Sequence, residues 1–388
     1  MSTPPPSPAI PELLYSDVED DLRAAVRALL ADRCGHAAVL GRVETAEPYD
    51  PALWRTLAAD LGLAGLLVPE KLGGQGASAR EAAVVLEELG GAVAPLPFLG
   101  SAVLATSALL ACDTEDPATA ALLGRLAAGG AVAALAVPLS AAPGDGFPAA
   151  VRADAGGRLT GAVTSVADAL TADVLVVPAV GPEGPGLYEV AAAEAAVERP
   201  VSFDLTRPLA DLALDGARGR LLAGGDAAAA ALGRALLTGA GLLASEQLGL
   251  AQWCLDETVR YLGQRRQFGR VVGSFQALKH RLADLWLDVV SARAAARNAA
   301  GALAAQASSS DPAVAAEAAL AVAVAQAYVS PAAVRAAEEA VQLHGGIGMT
   351  WEHPAHLYLK RAKADGIALG TAGRHRSALA ACVGLPPA

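Results

Sequence analysis

Between Tyr261 and Gln276 the chain reads Tyr-Leu-Gly-Gln-Arg-Arg-Gln-Phe-Gly-Arg-Val-Val-Gly-Ser-Phe-Gln. Arg265 and Arg266 bring guanidinium groups, Gln267 and Gln276 bring amide donors, and Phe268 offers a flat apolar face within a few residues of them. Glycines at 263, 269 and 273 loosen the backbone around these side chains. Such a group can clamp a diphosphate and lie against an adenosine. A second glycine-rich stretch, Gln342-Leu-His-Gly-Gly-Ile-Gly348, follows downstream. Its Gly345-Gly346 pair evokes a dinucleotide fingerprint, but a Rossmann loop follows a strand and this one follows a helical pattern, which predicts a helix C-cap.

The first stretch needs rigid supports, and the periodicity predicts them. Arg234 to Leu262 carries Leu236, Leu243, Leu250, Cys254 and Val259 at helical spacing, and Leu278, Leu282, Leu285, Trp286 and Val289 repeat it downstream, so a loop joining two long helices is expected. Residues 17–128 read as helical with short breaks, with Leu22, Val26, Leu29 and Leu30 on one face and Leu53, Leu57 and Leu61 on another behind the Asp50-Pro51 start signal. Residues 129–225 read as a small β domain with runs at 131–139, 151–153, 159–166, 173–180, 187–190 and 211–214 and a hairpin at Asp154–Gly157. Residues 226–388 return to helix, broken near Ser308 to Pro312.

Composition narrows the classes. With 388 residues the chain can hold two or three domains around a sizeable core. A net charge of -11 with no dense basic run repels a phosphate backbone, so no nucleic acid is expected as partner. Cys34, Cys112, Cys254 and Cys382 lie far apart without a C-x-x-C pair, which predicts reduced thiols and a cytoplasmic protein. Residues 1–16, proline-rich at the start, lack a secretion-signal layout and are expected to be a flexible tail. The longest uncharged run, Leu126 to Gly144, is interrupted by glycines and prolines; it predicts a buried strand and no membrane span. Glu352, His353 and His356 suggest a metal, but Pro354 interrupts the helix that an H-x-x-H pair needs and no third ligand has suitable spacing, so no metal is expected. Val68 to Gly76 lacks the strand and the Lys-Ser/Thr ending of a P-loop and reads as a glycine turn.

Tyr-x-x-x-Arg-x-Gln-Phe-Gly followed by Ser-Phe-Gln, with Gln342-Leu-His-Gly-Gly in the expected order behind it, resembles the flavin-binding signature of the acyl-CoA dehydrogenase family. The amino-terminal phrases Val68-Pro-Glu, Gly73-Gly-x-Gly76 and Leu86-Glu-Glu-Leu-Gly90 fit the same family. The resemblance implies an α+β, mainly α fold: an N-terminal helical domain, a middle β domain and a C-terminal four-helix bundle. It also implies FAD, an acyl-CoA thioester substrate, and removal of the α and β hydrogens as a proton and a hydride. Arg265, Gln267, Phe268, Gln276, Gln342, Gly345 and Gly346 are the cofactor-binding residues it assigns here, acting on the flavin of a neighbouring subunit.

That chemistry requires a carboxylate at the thioester α-carbon. The two positions where the family carries a glutamate base match Leu369 and Gly239, so no catalytic residue is assigned. Glu246, seven residues after Gly239 and on the same helical face about 10 Å along the axis, is the weak candidate; a surface or subunit-contact role is the expectation for it. The family's Thr-Glu-Pro with Gly-Ser-Asp, and its Trp-Ile-Thr, which wrap the flavin ring, correspond to Val137–Asp145 and Thr164–Ala167 without those groups. Partner-facing groups are present and self-facing groups are missing. The leading expectation is a subunit that completes the flavin site of a catalytic partner, as in actinobacterial α2β2 acyl-CoA dehydrogenases of steroid side-chain breakdown. An active homotetramer with Glu246 as a relocated base, and a non-enzymatic scaffold, are the alternatives.

Overall fold

In the computed structural model, which describes residues 12–385, the amino-terminal helices begin where the sequence supplies caps. Helix α1 (Asp17–Arg33) starts on a Ser16/Glu19 capping box, and α4 (Ala79–Gly91) on the equivalent Ser78/Glu81 pair. Between them lie α2 (His36–Val43) and α3 (Pro51–Arg55), the latter capped by Asp50 with Pro51 in its first turn. A π-wound segment, Phe98–Ala105, then leads into α5 (Thr106–Leu110), and α6 (Pro117–Ala127) starts on Asp116. Of the expected tail, residues 1–11 lie outside the described residues. Residues 12–16 are held: Arg80 donates to the carbonyls of Glu12 and Leu14, and the Tyr15 hydroxyl donates to Glu87 at 2.6 Å.

The middle strands are β1 (Ala133–Leu135), β2 (Val151–Ala153), β3 (Arg158–Ala167), β4 (Val174–Gly181), β5 (Gly184–Ala191), β6 (Ala195–Glu198) and β7 (Leu209–Gly224). Strands β4, β2, β3, β7 and β5 pair in turn and β5 pairs back with β4, so the sheet closes on itself, with β1 alongside β4 and β6 alongside β7. The expected Asp154 hairpin joins β2 to β3, its carboxylate accepting from Gly156 and Arg158 amides. Two strand expectations are corrected. The Leu126–Gly144 run gives only the three-residue β1, because α6 extends to Ala127 and the prolines end the pairing. The run at 211–214 is part of the first half of the sixteen-residue β7, which is carried past Gly216 and Gly219 by pairing with β3 and β5.

Helices α7 (Gly225–Gln264), α8 (Gln276–Ala307) and α9 (Pro312–His344) pack together, and α10 (Ala355–Asp365) and α11 (Ala372–Cys382) lie against them to complete the bundle. By length and composition alone, α7 and Pro312–Met349 could each cross a membrane. In the fold they face each other and α8, and the small side chains that make them apolar allow the close approach. Helix α4 docks on α7 backbone to backbone: a Cβ on Gly249 would stand 1.8 Å from the Glu87 carbonyl oxygen, and one on Gly90 2.0 Å from that of Glu246. The glycine of the Leu-Glu-Glu-Leu-Gly phrase is therefore a packing requirement. The observed α+β, mainly α architecture is the one expected from the sequence.

Candidate functional site

The chain reverses twice between α7 and α9, so the end of α7, the start of α8 and the end of α9 share one end of the bundle. Helix α7 stops at Gln264, and a short hairpin follows, β8 (Arg266–Gln267) paired with β9 (Arg270–Val271). Phe268 and Gly269 form its two-residue turn with φ of +51° and +73°, the positive pair that a type I′ turn needs. For glycine that conformation is free, whereas for phenylalanine it is strained, and Phe268 is 91% exposed with only an edge contact to Phe275. Arg265, Gln267 and Gln276 are exposed as well. Helix α8 starts without a side-chain cap, leaving its first amides available to an anion beside this hairpin.

The second stretch is brought to the root of the first. The ring of His344, the last residue of α9, stacks on Tyr261 with centroids 4.5 Å apart. Immediately after it, Gly345 turns the chain at φ +63° and donates its N–H to the Gln342 carbonyl. Gln342, Gly345 and Gly346 are exposed. The seven residues singled out from the sequence thus lie at one end of the bundle. All seven are exposed there.

The two positions expected from the resemblance to match the family's base, Gly239 and Leu369, come together elsewhere in the fold. A Cβ on Gly239 would stand 3.1 Å from Cδ1 of Leu369 and 2.3 Å from Cδ2 of Leu104, so Leu104 fills the space that a side chain at 239 would need. Leu369 is fully buried and left-handed at φ +52°. Its N–H donates to the Leu139 carbonyl at 2.7 Å, the Leu139 N–H donates to the Ser165 carbonyl at 3.0 Å, and His375 Nε2 donates to the Leu369 carbonyl at 2.9 Å. The stretches matching the family's two ring-wrapping segments and its base are therefore bonded directly to one another, through Leu139, Ser165 and Leu369.

Glu246 is neither at the surface nor free to act alone, which corrects the sequence expectation: it is 2% exposed, because α4 covers this side of α7. One of its oxygens accepts from both Arg207 and Arg361, the latter at 2.5 Å. Arg361 also holds Asp204 at 2.7 Å, and Asp365 lies 3.7 Å from Arg207. Burial disfavours the charge on Glu246, but the two arginines outweigh it and hold the carboxyl below its ordinary value. Three carboxylates face two guanidiniums, and Asp365 is the one without a hydrogen-bond donor on either oxygen. Burial and the neighbouring Glu246 push Asp365 up to about 8. Its folded-state value is raised, so the stability it contributes is present at low pH and is lost as pH rises from the ordinary 3.8 through about 8. Thermal unfolding at pH 5 and pH 8.5 should show a fall for the wild type that Asp365→Asn reduces.

Sequence reasoning missed this joint. Asp204 and Arg207 sit in an unpatterned loop before β7, and charged residues on helices ordinarily read as solvated. Only the repeated helical face shared by Gly239 and Glu246 hinted that the glutamate pointed inward.

A family described as acyl-CoA dehydrogenase, N-terminal domain, matches residues 16–130, and one described as acyl-CoA dehydrogenase, C-terminal domain, matches residues 229–384. The chain is 37% identical over 341 residues to the acyl-CoA dehydrogenase IpdE2 of Mycobacterium tuberculosis, covering 88% of this chain and 89% of that one. It is 33% identical over 377 residues to the acyl-CoA dehydrogenase FadE27 of the same organism, covering 92% and 94%. Among solved structures, the ChsE4-ChsE5 complex from Mycobacterium tuberculosis matches with a TM-score of 0.83 at 30% identity, over 97% of this chain and 100% of that chain. A variant of the Tcur3481-Tcur3483 steroid ACAD matches with a TM-score of 0.82 at 29% identity, over 95% and 98%.

Proposed function

The chain belongs to the acyl-CoA dehydrogenase family, and on that premise we propose that it is the subunit of an FAD-dependent, hetero-oligomeric acyl-CoA dehydrogenase that completes a partner's flavin site and supplies no base. The observation that carries this is the pairing of a filled base region with an exposed cofactor loop. Gly239, Leu369 and Leu104 occupy one another's space, and among the described residues the groups nearest Gly239 are these two leucines, with no carboxylate. Glu246 is fixed between two arginines, and a carboxylate held ionised by buried cations is a weak proton acceptor.

The exposed end of the bundle suits the diphosphate and adenosine of FAD. Arg265 offers a fork for the diphosphate, with Gln267, Gln276 and Gln342 as amide donors, and Phe268 offers a stacking face. The open amides of α8 add donors, and the uncrowded Gly345-Gly346 backbone leaves room for a phosphate to approach. When bound, FAD supplies the acceptor of the two electrons taken from an acyl-CoA thioester. This chain's residues grip and orient its non-reacting end, and the base and acyl pocket belong to the partner. An α2β2 assembly gives each catalytic chain one such neighbour. Two of the similar structures carry names that join two chains, and one is described as a steroid ACAD, which supports a heteromer and a steroid-derived acyl group.

Purifying the chain alone and co-expressed with a catalytic family member separates the possibilities. Flavin absorbance and acyl-CoA-dependent dye reduction are expected only from the co-purified complex; a yellow, active homo-oligomer of this chain alone would reject the proposal. Arg265→Ala in the complex should remove a charge-assisted phosphate contact of about 1.5–3 kcal/mol, weakening FAD affinity tenfold or more. A complex that retains flavin unchanged would count against the assignment of this loop.

A further inference from the structure

A cluster not used by the flavin surface lies just behind it. Glu257 on α7, His344 at the end of α9 and His353 ahead of α10 each present one ligand-type atom, all within 4.8 Å of one another. The sequence offered His353 no third ligand, because its partners come from 96 and 9 residues upstream (353 − 257 and 353 − 344). The fold supplies them.

His344 is the most informative of the three. It is 3% exposed, its Nδ1 lies 2.6 Å from the Ala340 carbonyl, and its Nε2 is buried with no hydrogen-bond partner among the described residues. A carbonyl can only accept, so Nδ1 carries the proton and Nε2 is left as a bare lone pair on a ring that lies 4.3 Å from the His353 ring, centroid to centroid, at 44°. A ring N–H given to a backbone carbonyl with the other nitrogen left free is the arrangement found at metal-ligating histidines. A buried acceptor without a donor is otherwise costly.

We propose that Glu257, His344 and His353 form a binding site for a divalent zinc-class cation. Two imidazoles and one carboxylate make a donor set that zinc accepts, with a fourth position left for water because Glu257 and His353 are only half-buried. Four-coordinate zinc holds its ligand atoms about 3.4 Å apart, so the three side chains must close in by small rotations. His353 Nε2 already lies 3.9 Å from Glu257 Oε1. Coordination through Nε2 moves the His353 proton to Nδ1 and gives up a long 3.3 Å hydrogen bond from the Ala355 amide. Arg260 pairs with both oxygens of Glu257 and lowers the site's affinity, yet each oxygen keeps a second lone pair. The cation would tie the ends of α7 and α9 to the segment leading into α10. Those helix ends carry Tyr261 and Gln342, so the site stands behind the flavin surface without depending on its assignment.

The full-length chain, stripped with EDTA, reloaded with zinc and dialysed free of excess, is expected to hold about one zinc per chain by elemental analysis and to unfold at a higher temperature with zinc present. Cobalt at the same site should give visible d–d bands. His353→Asn and Glu257→Gln each lie at a half-buried position and should weaken zinc binding at least about tenfold. His344→Asn should do the same, but because it also disturbs the Tyr261 stack the other two decide the matter. A wild type that holds no zinc, or both variants retaining it at full stoichiometry, would overturn the site. Neither outcome bears on flavin content, which is read separately.

Discussion

Arg361→Met should destabilise the chain by about 3–5 kcal/mol, the cost of leaving buried carboxylates without their cation. Arg361 is 2% exposed and bonds Asp204 and Glu246 at once, so its removal leaves Asp204, Glu246 and Asp365 sharing Arg207 alone. The excess charge can be relieved only by proton uptake. The variant's loss should therefore be larger at pH 8 than at pH 5.5, since Asp365, already raised by burial and Glu246, loses one of the two cations that favour its charge, and its protonated form stabilises the fold at low pH. Denaturant midpoints at the two pH values check both the size and the sign. Glu246→Gln should cost less, because Asp365 can then ionise against the arginine that Glu246 gave up. That contrast separates a structural carboxylate from a base, for which Glu246→Gln would spare stability and abolish turnover in the assembled enzyme. No loss from Arg361→Met would mean that the joint between the pre-β7 loop, α7 and α10 contributes little.

The parts of the fold that were legible in the sequence are those governed by local rules. Asp50 before Pro51 and Asp311 before Pro312 read as helix starts and do cap their helices, because a short side-chain oxygen followed by a helical pattern has few other uses; Ser16, Ser78 and Asp116 cap theirs by the same chemistry without having been singled out. The Arg-x-Gln-Phe-Gly loop stood out because its glycine and aromatic positions answer a turn requirement and a surface role together. What could not be read depends on contacts far apart in the chain. The ion cluster joins residues 204, 207, 246, 361 and 365, and the histidine cluster joins 257, 344 and 353, with no periodicity to link them. The sequence pattern of β7 stops at 214 because Gly216 and Gly219 resemble strand ends, whereas pairing on both sides carries the strand through them. Glycine at 239 read as an empty base position. The structure adds that the space is filled, which a sequence cannot express.

Leu369→Glu should fail to create a dehydrogenase from this chain alone, although it restores the residue type that the family places there. The side chain at 369 is fully buried and its Cδ1 points to the apolar space at Gly239 that Leu104 also fills, so a carboxylate there would be set against apolar groups. Its own backbone N–H already donates to the Leu139 carbonyl, and its carbonyl already accepts from His375 Nε2. An unpaired buried carboxyl of this kind costs roughly 3 kcal/mol or more, much of it met by taking up a proton, which removes the base as well. The expected result is a lower denaturant midpoint and no acyl-CoA-dependent dye reduction. Adding Leu104→Ala tests the cause: if crowding at Gly239 contributes, the double variant should be less destabilised than the sum of the two single changes, because the glutamate gains room and water. Turnover by a stably folded Leu369→Glu chain without a partner would show that the pocket is open to substrate and that only the base is missing, and the division of labour between this subunit and a catalytic partner would then have to be abandoned.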